Sequence, residues 1–372
     1  MESVYDRKER CCGCAACADI CPAGSISMAE DEEGLLYPSI DTATCLDCGL
    51  CRKVCAFIKA GEISEDLQEP MVFAAKHRTD ETRLQSTSGG AFTAISDSIL
   101  AKGGVIYGAS LGSDLRVKHE RAADIASRDC LRGSKYAQSD AKGSYSRAAS
   151  DLETGLPVMF TGLPCQLGAL KEFAGLTGAD CEGLLMVDLV CYGAYSVKLL
   201  KEHISNLEAL HGKKASGYRF RPKEFGWSGH REEIIFIDGA KDNSTVDSQL
   251  LKGLFLSNLI LRPSCHECPY ASTRRHTDIT IGDYWGLGRR FHDFKDELGV
   301  SVILLNTDKG KSMIEEIAKV MELRQSDLAD CSRKQPSFNG PSARNPRREA
   351  FWADFAKHGY AFAAKRHLGM ME

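Results

Sequence analysis

The sequence lacks the features that mark three large classes of protein. No stretch of its 372 residues approaches the roughly 18 consecutive apolar residues of a membrane-spanning helix, so no transmembrane segment is expected. Its net charge of −4 lacks the basic excess that general nucleic-acid binding requires. The first ten residues contain no apolar signal region, so the 16 cysteines do not indicate a secreted, disulfide-stapled protein. We therefore expect a cytoplasmic protein in a reducing compartment.

Two runs of cysteines near the amino terminus share the spacing Cys-x2-Cys-x2-Cys-x3-Cys. This spacing is typical of bacterial ferredoxins, in which three thiolates of each run bind one [4Fe-4S] cluster and the fourth binds the other cluster. The pattern predicts one cluster bound by Cys11, Cys14, Cys17 and Cys55, and another bound by Cys45, Cys48, Cys51 and Cys21. Structural zinc also takes four thiolates, but it favours two Cys-x2-Cys knuckles. Cys12 is interpreted as a bystander.

The strand and helix signals divide the chain into a small and a larger domain. A composition of 43% hydrophobic and 26% charged residues gives no sign of disorder. We expect an α/β fold of mixed α+β type, with a small bacterial-type ferredoxin module before a larger α/β domain that has a partly parallel sheet. The predicted parts are a ferredoxin domain at 1–60, a linker at 61–70, two halves of the larger domain at 71–150 and 151–325, and a tail with a short helix at 326–372.

Two segments of the larger domain have the polar, glycine-bearing character of loops. Ser-Thr-Ser-Gly-Gly at 86–90 precedes a predicted helix at 91–101, and unpaired amide groups there could hold a phosphate. An ordinary N-cap is the alternative. The second segment, 131–139, includes Lys135 and Tyr136, which could offer a cation and a phenol to a bound ring or phosphate. A solvated loop is the alternative there.

A strand, helix, strand order at 156–190 is the clearest architecture in the chain. Its short connections predict a crossover between parallel strands. Cys165 and Cys191 then lie beyond the carboxyl ends of two strands, at the sheet edge where open α/β sheets place ligands. Further strands are expected at 277–286 and 300–305, the second being the last in the chain.

A third group of cysteines lies outside the ferredoxin module. Cys265 and Cys268 form one Cys-x2-Cys knuckle, which can be grouped with Cys165 and Cys191. A third [4Fe-4S] cluster and a four-thiolate zinc site both fit this ligand set. Single cysteines at strand ends differ from the two knuckles of a zinc ribbon, which favours iron.

The combined motifs resemble the coenzyme F420 hydrogenase/dehydrogenase beta subunit family. They are the turn at 86–90, Gly-Ser-Lys-Tyr at 133–136, Thr-Gly-Leu-Pro-Cys-Gln at 161–166 and Asp-Ile-Thr-Ile-Gly-Asp-Tyr-Trp-Gly at 278–286, in this order behind a ferredoxin module. The resemblance implies a flavin, usually FAD with FMN as the alternative, bound in the α/β domain near a [4Fe-4S] cluster. It places this cluster on Cys165, Cys191, Cys265 and Cys268. It places flavin contacts on Ser88, Gly89, Gly90, Ser134, Lys135 and Tyr136.

Three functions are compatible with these features. The first is an iron-sulfur flavoprotein oxidoreductase that exchanges two electrons with coenzyme F420 or another small organic donor or acceptor. The second is an electron-transfer subunit of a larger hydrogenase/dehydrogenase complex, without its own substrate, that docks a redox partner protein through the ferredoxin face. The third is a zinc-stabilised interaction protein with an appended ferredoxin. A homo-oligomer remains open, and no residue is identified as catalytic because no Ser/His/Asp or Cys/His constellation is evident.

Overall fold

The computed structural model describes residues 3–60 and 67–371, so most of the predicted linker lies outside the described residues. The described strands form sheets of two, three and eight strands. The strands are β1 (Ile26–Glu30), β2 (Leu36–Ile40), β3 (Met71–His77), β4 (Val105–Leu111), β5 (Val117–Ala122), β6 (Val158–Gly162), β7 (Leu184–Leu189), β8 (Ala215–Arg219), β9 (Glu233–Phe236), β10 (Lys241–Asp242), β11 (Ile279–Asp283), β12 (Ser301–Leu305) and β13 (Met321–Ser326).

Helices cover the sheets and form much of the carboxyl-terminal part. The α-helices are α1 (Ala16–Asp19), α2 (Leu50–Lys53), α3 (Ala56–Lys59), α4 (Asp80–Leu84), α5 (Ala91–Leu100), α6 (Ile125–Asp129), α7 (Ser144–Glu153), α8 (Pro164–Thr177), α9 (Val197–His211), α10 (Leu250–Leu256), α11 (Asp308–Ser312), α12 (Ile314–Val320), α13 (Leu328–Ser332), α14 (Pro336–Asn339), α15 (Arg348–His358) and α16 (Tyr360–His367). Short 3-10 helices lie at Lys8–Arg10, Lys223–Phe225, Asp247–Gln249, Pro263–Glu267, Leu287–Arg289 and His292–Phe294. None of the described helices is long and apolar enough to cross a membrane.

The amino-terminal module has the internal repeat that its cysteine runs predict. Its hairpin pairs β1 with β2 antiparallel, and Ile26 lies opposite Ile40. Helices α1 and α2 begin after Ala15 and Gly49, which hold equivalent positions in the two runs and adopt left-handed backbone conformations with φ of 67° and 72°. Each cysteine run therefore contains a turn of the same backbone conformation.

The larger domain is built on the eight-stranded sheet, whose order is β13-β3-β12-β11-β7-β6-β4-β5. The four adjacent strands β11, β7, β6 and β4 are parallel, and the remaining pairs are antiparallel. Helix α8 connects the parallel neighbours β6 and β7, as the strand, helix, strand pattern predicts. The expected mixed α/β fold with a partly parallel sheet is thus confirmed.

Three elements differ from the sequence-based expectation. Strand β12 is not the last strand, because β13 follows it and pairs antiparallel with β3 at the sheet edge. The small sheet β10-β9-β8 was not predicted. The tail contains helices α13 to α16 instead of one short helix, and Phe351 and Tyr360 of α15 and α16 are buried in one cluster with Leu200 of α9.

Buried polar contacts join the ferredoxin module to the larger domain. The Arg348 guanidinium donates to both carboxylate oxygens of Glu33, and its Nη1 lies 2.7 Å from Oε1. Ser196 at the start of α9 donates from its hydroxyl to the Glu33 carbonyl at 2.6 Å. The Tyr145 hydroxyl of α7 donates to the Cys14 carbonyl at 3.0 Å. These contacts fix the cysteine loops of the module against the α/β domain.

Candidate metal centres and cofactor site

The first predicted ligand group is brought together inside the module. Burial, followed by the neighbouring thiols of Cys14, Cys11 and Cys55, raises the pKa of the Cys17 thiol well above its ordinary value. The interactions of Cys17 therefore link all four residues of the predicted first group.

The second predicted group lines a cavity at the outer side of the module. Cys21, Cys45, Cys48 and Cys51 all face this cavity. Cys48 is exposed, and Leu46 beside it is 68% exposed. The second group is therefore the one that another protein can approach.

The third group lies in the α/β domain and lines a cleft. Cys165 stands in the first turn of α8 directly after β6, and Cys191 follows the end of β7. Cys265 belongs to the 3-10 helix Pro263–Glu267, and Cys268 follows it. The structure thus brings together four residues that the sequence separates by more than 70 positions in places.

None of the described cysteine groups has the arrangement of a single-ion metal site. A tetrahedral zinc ion needs thiolate sulfurs about 2.3 Å from the metal. Within the described residues, no three or more His, Cys, Asp or Glu side chains are arranged to hold one metal ion. A [4Fe-4S] cube holds its four thiolates on different irons and therefore takes the wider arrangement around a cavity.

Cys12 occupies a position that sequence reasoning missed. It lines the third cleft, and interactions with the thiols of Cys14 and Cys165, together with burial, give it a pKa well above the ordinary value. Cys14 belongs to the first predicted ligand group and Cys165 to the third. Cys12 therefore marks the place where these two groups meet.

The two segments with predicted flavin contacts lie against each other. The Ser134 amide donates to the Thr87 hydroxyl at 2.8 Å. The Ser88 hydroxyl donates to the Val300 carbonyl at 2.9 Å, and the Gly89 amide donates to the Ser301 hydroxyl at 2.9 Å. Gly90 is the N-cap of α5 with φ of 94°. The turn at 86–90 is thus hydrogen-bonded to the loop of Ser134 and to the segment of Val300 and Ser301.

Lys135 and Tyr136 point to different surroundings. The Lys135 ammonium donates to the carbonyls of Arg132 at 2.7 Å and Cys130 at 3.2 Å, and burial lowers its pKa to about 8. Tyr136 packs against Phe255, with ring centroids 5.0 Å apart. In this arrangement Lys135 supports its own loop, and Tyr136 belongs to an apolar wall.

The amino-terminal end of α5 has the properties of a phosphate site. No side chain caps this helix. The hydroxyl of Thr93 in its first turn is buried without a hydrogen-bond partner among the described residues. Uncapped amides at a helix start attract anions. The start of α5 therefore fits a phosphate group.

A charged and aromatic cluster closes the end of β11. Asp283 accepts hydrogen bonds from Arg221 Nη1 and from Trp227 Nε1, each at 2.6 Å. The Trp227 and Trp285 rings stack 4.8 Å apart. Tyr136 also lies close enough to Arg221 to interact with its guanidinium. Asp283 therefore positions an arginine beside a predicted flavin-contact residue.

Known proteins share both parts of this chain. Residues 156–330 match the model for the carboxyl-terminal part of the beta subunit of coenzyme F420 hydrogenase/dehydrogenase, and residues 10–57 match the 4Fe-4S dicluster domain. An uncharacterized ferredoxin of Methanocaldococcus jannaschii is 38% identical over 55 residues, which are 15% of this chain and 69% of that protein. A chain in a xenon-derivatized structure of the F420-reducing [NiFe] hydrogenase complex from Methanosarcina barkeri has a TM-score of 0.52 and 19% identity, covering 76% of this chain and 98% of that chain. At this identity the likeness shows the fold alone.

Proposed function

Because the chain belongs to the coenzyme F420 hydrogenase/dehydrogenase beta subunit family and carries a 4Fe-4S dicluster domain, we propose that it is an iron-sulfur flavoprotein oxidoreductase. In this proposal the protein transfers electrons between three [4Fe-4S] clusters and a flavin, which is FAD or FMN. The flavin exchanges two electrons with coenzyme F420 or another small organic substrate. Clusters supply one-electron exchange, and a bound flavin links it to two-electron chemistry.

The observation that carries this proposal is the order of the three cysteine groups. The second group is open to solvent at Cys48. The first group adjoins the third through the contacts of Cys12 with Cys14 and Cys165. These observations support an order of ligand groups that begins with the exposed group of the module, continues with the first group and ends with the third group in the α/β domain.

The predicted flavin loop is bonded to the segment that follows Cys191. The Gln138 amide donates to the Tyr195 carbonyl at 2.7 Å, and the Tyr195 amide donates to the Tyr136 carbonyl at 3.2 Å. The loop of Ser134, Lys135 and Tyr136 is thus fixed beside the segment that follows Cys191. This connection supports a flavin bound next to the third cluster.

The chain's own residues have defined tasks in this proposal. The start of α5 holds the phosphate of the cofactor, and Tyr136 contributes the wall beside its ring. The Asp283 carboxylate holds Arg221 in place through its 2.6 Å hydrogen bond. Arg221 is then positioned to bind an anionic group of the substrate or cofactor.

An electron-transfer subunit without its own substrate is the second candidate. It is favoured by the exposure of Cys48 and Leu46 at the second group, where a redox partner protein could dock. The two candidates differ in one measurable property. The oxidoreductase reduces an organic acceptor alone when a viologen supplies electrons, whereas the electron-transfer protein does so only after a partner is added.

The test of the proposal is metal and cofactor analysis of protein purified without oxygen. Iron, zinc and acid-labile sulfide are measured per chain, and flavin released by acid is identified by chromatography. We expect about twelve irons, from three clusters of four, and one equivalent of flavin. About eight irons with one zinc and no flavin would contradict the third cluster and the flavin together.

Cys265→Ser tests the third cluster separately. It should lower the iron content to about eight per chain, because only the two ferredoxin clusters remain. It should also slow flavin reduction by the reduced ferredoxin module, measured by stopped-flow absorbance. Cys181→Ser is the matched control, since Cys181 is exposed and outside the three groups. Rapid flavin reduction and twelve irons in Cys265→Ser would contradict the assignment.

A further inference from the structure

Arg262 of the α/β domain extends into the ferredoxin module. It precedes the 3-10 helix that carries Cys265 and is only 1% exposed. Its Nε donates to the Cys11 carbonyl at 2.8 Å, and its Nη2 donates to the Leu36 carbonyl at 3.0 Å. Nη2 also donates to the Cys11 sulfur at 3.7 Å. The guanidinium therefore touches a predicted ligand of the first cluster.

The positive charge of Arg262 has no carboxylate partner in the described parts of the chain. Other buried arginines do: Arg128 lies 2.6 Å from Asp97, and Arg348 pairs with Glu33. The other neighbours of Arg262 are neutral: Gln138 Oε1 accepts from Nη1 at 2.8 Å, and the Tyr37 ring has its centroid 4.1 Å from the guanidinium carbon. A buried charge without a counter-ion is strongly unfavourable. The missing negative charge is the one that a thiolate-bound cluster at Cys11 provides.

We propose that Arg262 is the counter-ion of the first ferredoxin cluster and raises its reduction potential. This inference rests on the proposed function only for the presence of that cluster. One-electron reduction takes the iron-sulfide core from 2+ to 1+ and adds one negative charge, with no change in the thiolate ligands. A fixed guanidinium stabilises this added charge, and its hydrogen bond to the ligand sulfur acts in the same direction.

The second cluster site provides the contrast. Its cavity is lined by no arginine or lysine among the described residues. It is also more exposed, since Cys48 faces solvent. A substitution of Arg262 should therefore change the potential of the first cluster and leave that of the second unchanged.

The experiment is a potentiometric titration followed by electron paramagnetic resonance, with dithionite and mediator dyes as the source of electrons. Arg262→Met removes the charge, and Arg262→Lys keeps the charge but not the planar donor set. For Arg262→Met we expect the equilibrium constant of one reduction step to fall by about tenfold, which is about 59 mV for a one-electron couple. Arg262→Lys should lower this equilibrium constant less. Cys11→Ser identifies this step as that of the first cluster if it alters the same potential.

Two further variants separate charge from folding. Gln138→Glu gives Arg262 a carboxylate partner without removing it, and it should lower the same potential. Arg128→Lys is the matched control for altering a buried arginine outside the cysteine groups, and it should leave every potential unchanged.

A lower potential at the first cluster with an unchanged potential at the second supports the inference. Arg262 also lines the third cleft, so the potential of a third cluster is not part of this criterion. Unchanged potentials in all Arg262 and Gln138 variants, or equal falls at the first and second clusters, would overturn it. If Arg262→Met fails to assemble the first cluster, Arg262→Lys and Gln138→Glu decide by the same criterion. Absence of a third cluster or of flavin would contradict the proposed function but would leave this titration readable, because it uses only the ferredoxin clusters.

Discussion

Glu33→Gln should loosen the attachment of the ferredoxin module far more than the same change at the adjacent Glu32. Glu33 is 11% exposed at its side chain and pairs with Arg348, which is 4% exposed. Glu32 is 77% exposed and pairs with Lys8, which is 36% exposed. Glu33 and Glu32 are thus both carboxylates in ion pairs, but only the Glu33 pair is buried.

The expected magnitudes follow from that burial. Removing one partner of a buried ion pair typically costs about 3–5 kcal/mol, because the other charge stays buried and unpaired. Arg348 would keep its hydrogen bond of 3.1 Å to the Leu261 carbonyl, so we expect about 3 kcal/mol, at the lower end of that range. An exposed pair such as Glu32 with Lys8 contributes about 0–1 kcal/mol.

The measurement is anaerobic denaturant unfolding, monitored by circular dichroism and by the visible absorbance of the clusters. Glu33→Gln should move both transitions to lower denaturant concentration, whereas Glu32→Gln should stay close to the unaltered protein. Iron content measured before unfolding checks that both variants carry the same clusters. Equal midpoints for the two variants would refute the reasoning that the buried pair fixes the module.

Two other predictions concern one titrating group and one close approach. Burial raises the pKa of Glu232 to about 7, so the Glu232 carboxyl binds its proton more tightly in the folded state than in the unfolded state. The stability that this bound proton contributes is therefore lost as pH rises from about 4.5 to about 7. Glu232→Gln should remove that pH dependence and stabilise the protein at pH 8 by on the order of 3 kcal/mol, measured as the difference in unfolding free energy; an unchanged pH profile would contradict this. Gly13→Ala should destabilise the module, because an added Cβ would lie 2.7 Å from the Leu36 carbonyl oxygen and 2.8 Å from Arg262 Nη1 at a residue with φ of 66°. The matched change Gly24→Ala has a similar φ of 62° and no atom within 4 Å of the added Cβ. Equal unfolding midpoints of these two variants would contradict a role for the close contact.

Local sequence patterns were sufficient for elements whose signals are local. The hairpin of β1 and β2 and the crossover from β6 through α8 to β7 follow from alternation, turn residues and short connections. The helical spacing of leucines in α9 matches its buried face at Leu199, Leu200 and Leu207, but Leu210 at its end is 57% exposed. The helical spacing of apolar residues predicts which side of a helix is buried. How far along the helix that burial extends depends on the neighbouring elements that pack against it.

Elements that depend on distant partners could not be predicted in this way. Strand β13 follows directly after α12, and its pairing with β3 joins segments about 250 residues apart, so no local feature marks it as a sheet edge. Arg262 is an ordinary arginine in the sequence, and its importance arises only because the fold brings it to Cys11 and Gln138. Cys12 likewise acquires its contacts through Cys165, which lies in another domain.

The attachment of the module is itself informative about electron transfer. A carrier that shuttles between partners needs a detachable ferredoxin, yet this module is tied to the α/β domain by hydrogen bonds to the backbone of its own cluster loops. Tyr145 bonds to the Cys14 carbonyl, Arg262 to the Cys11 carbonyl, and Tyr270 to the Ala56 carbonyl beside Cys55. All three bonds fall on the first ligand group, and the second group remains open at Cys48. The proposed electron route therefore runs inward through the first group, and the second group is the one that the proposal leaves for exchange with other proteins.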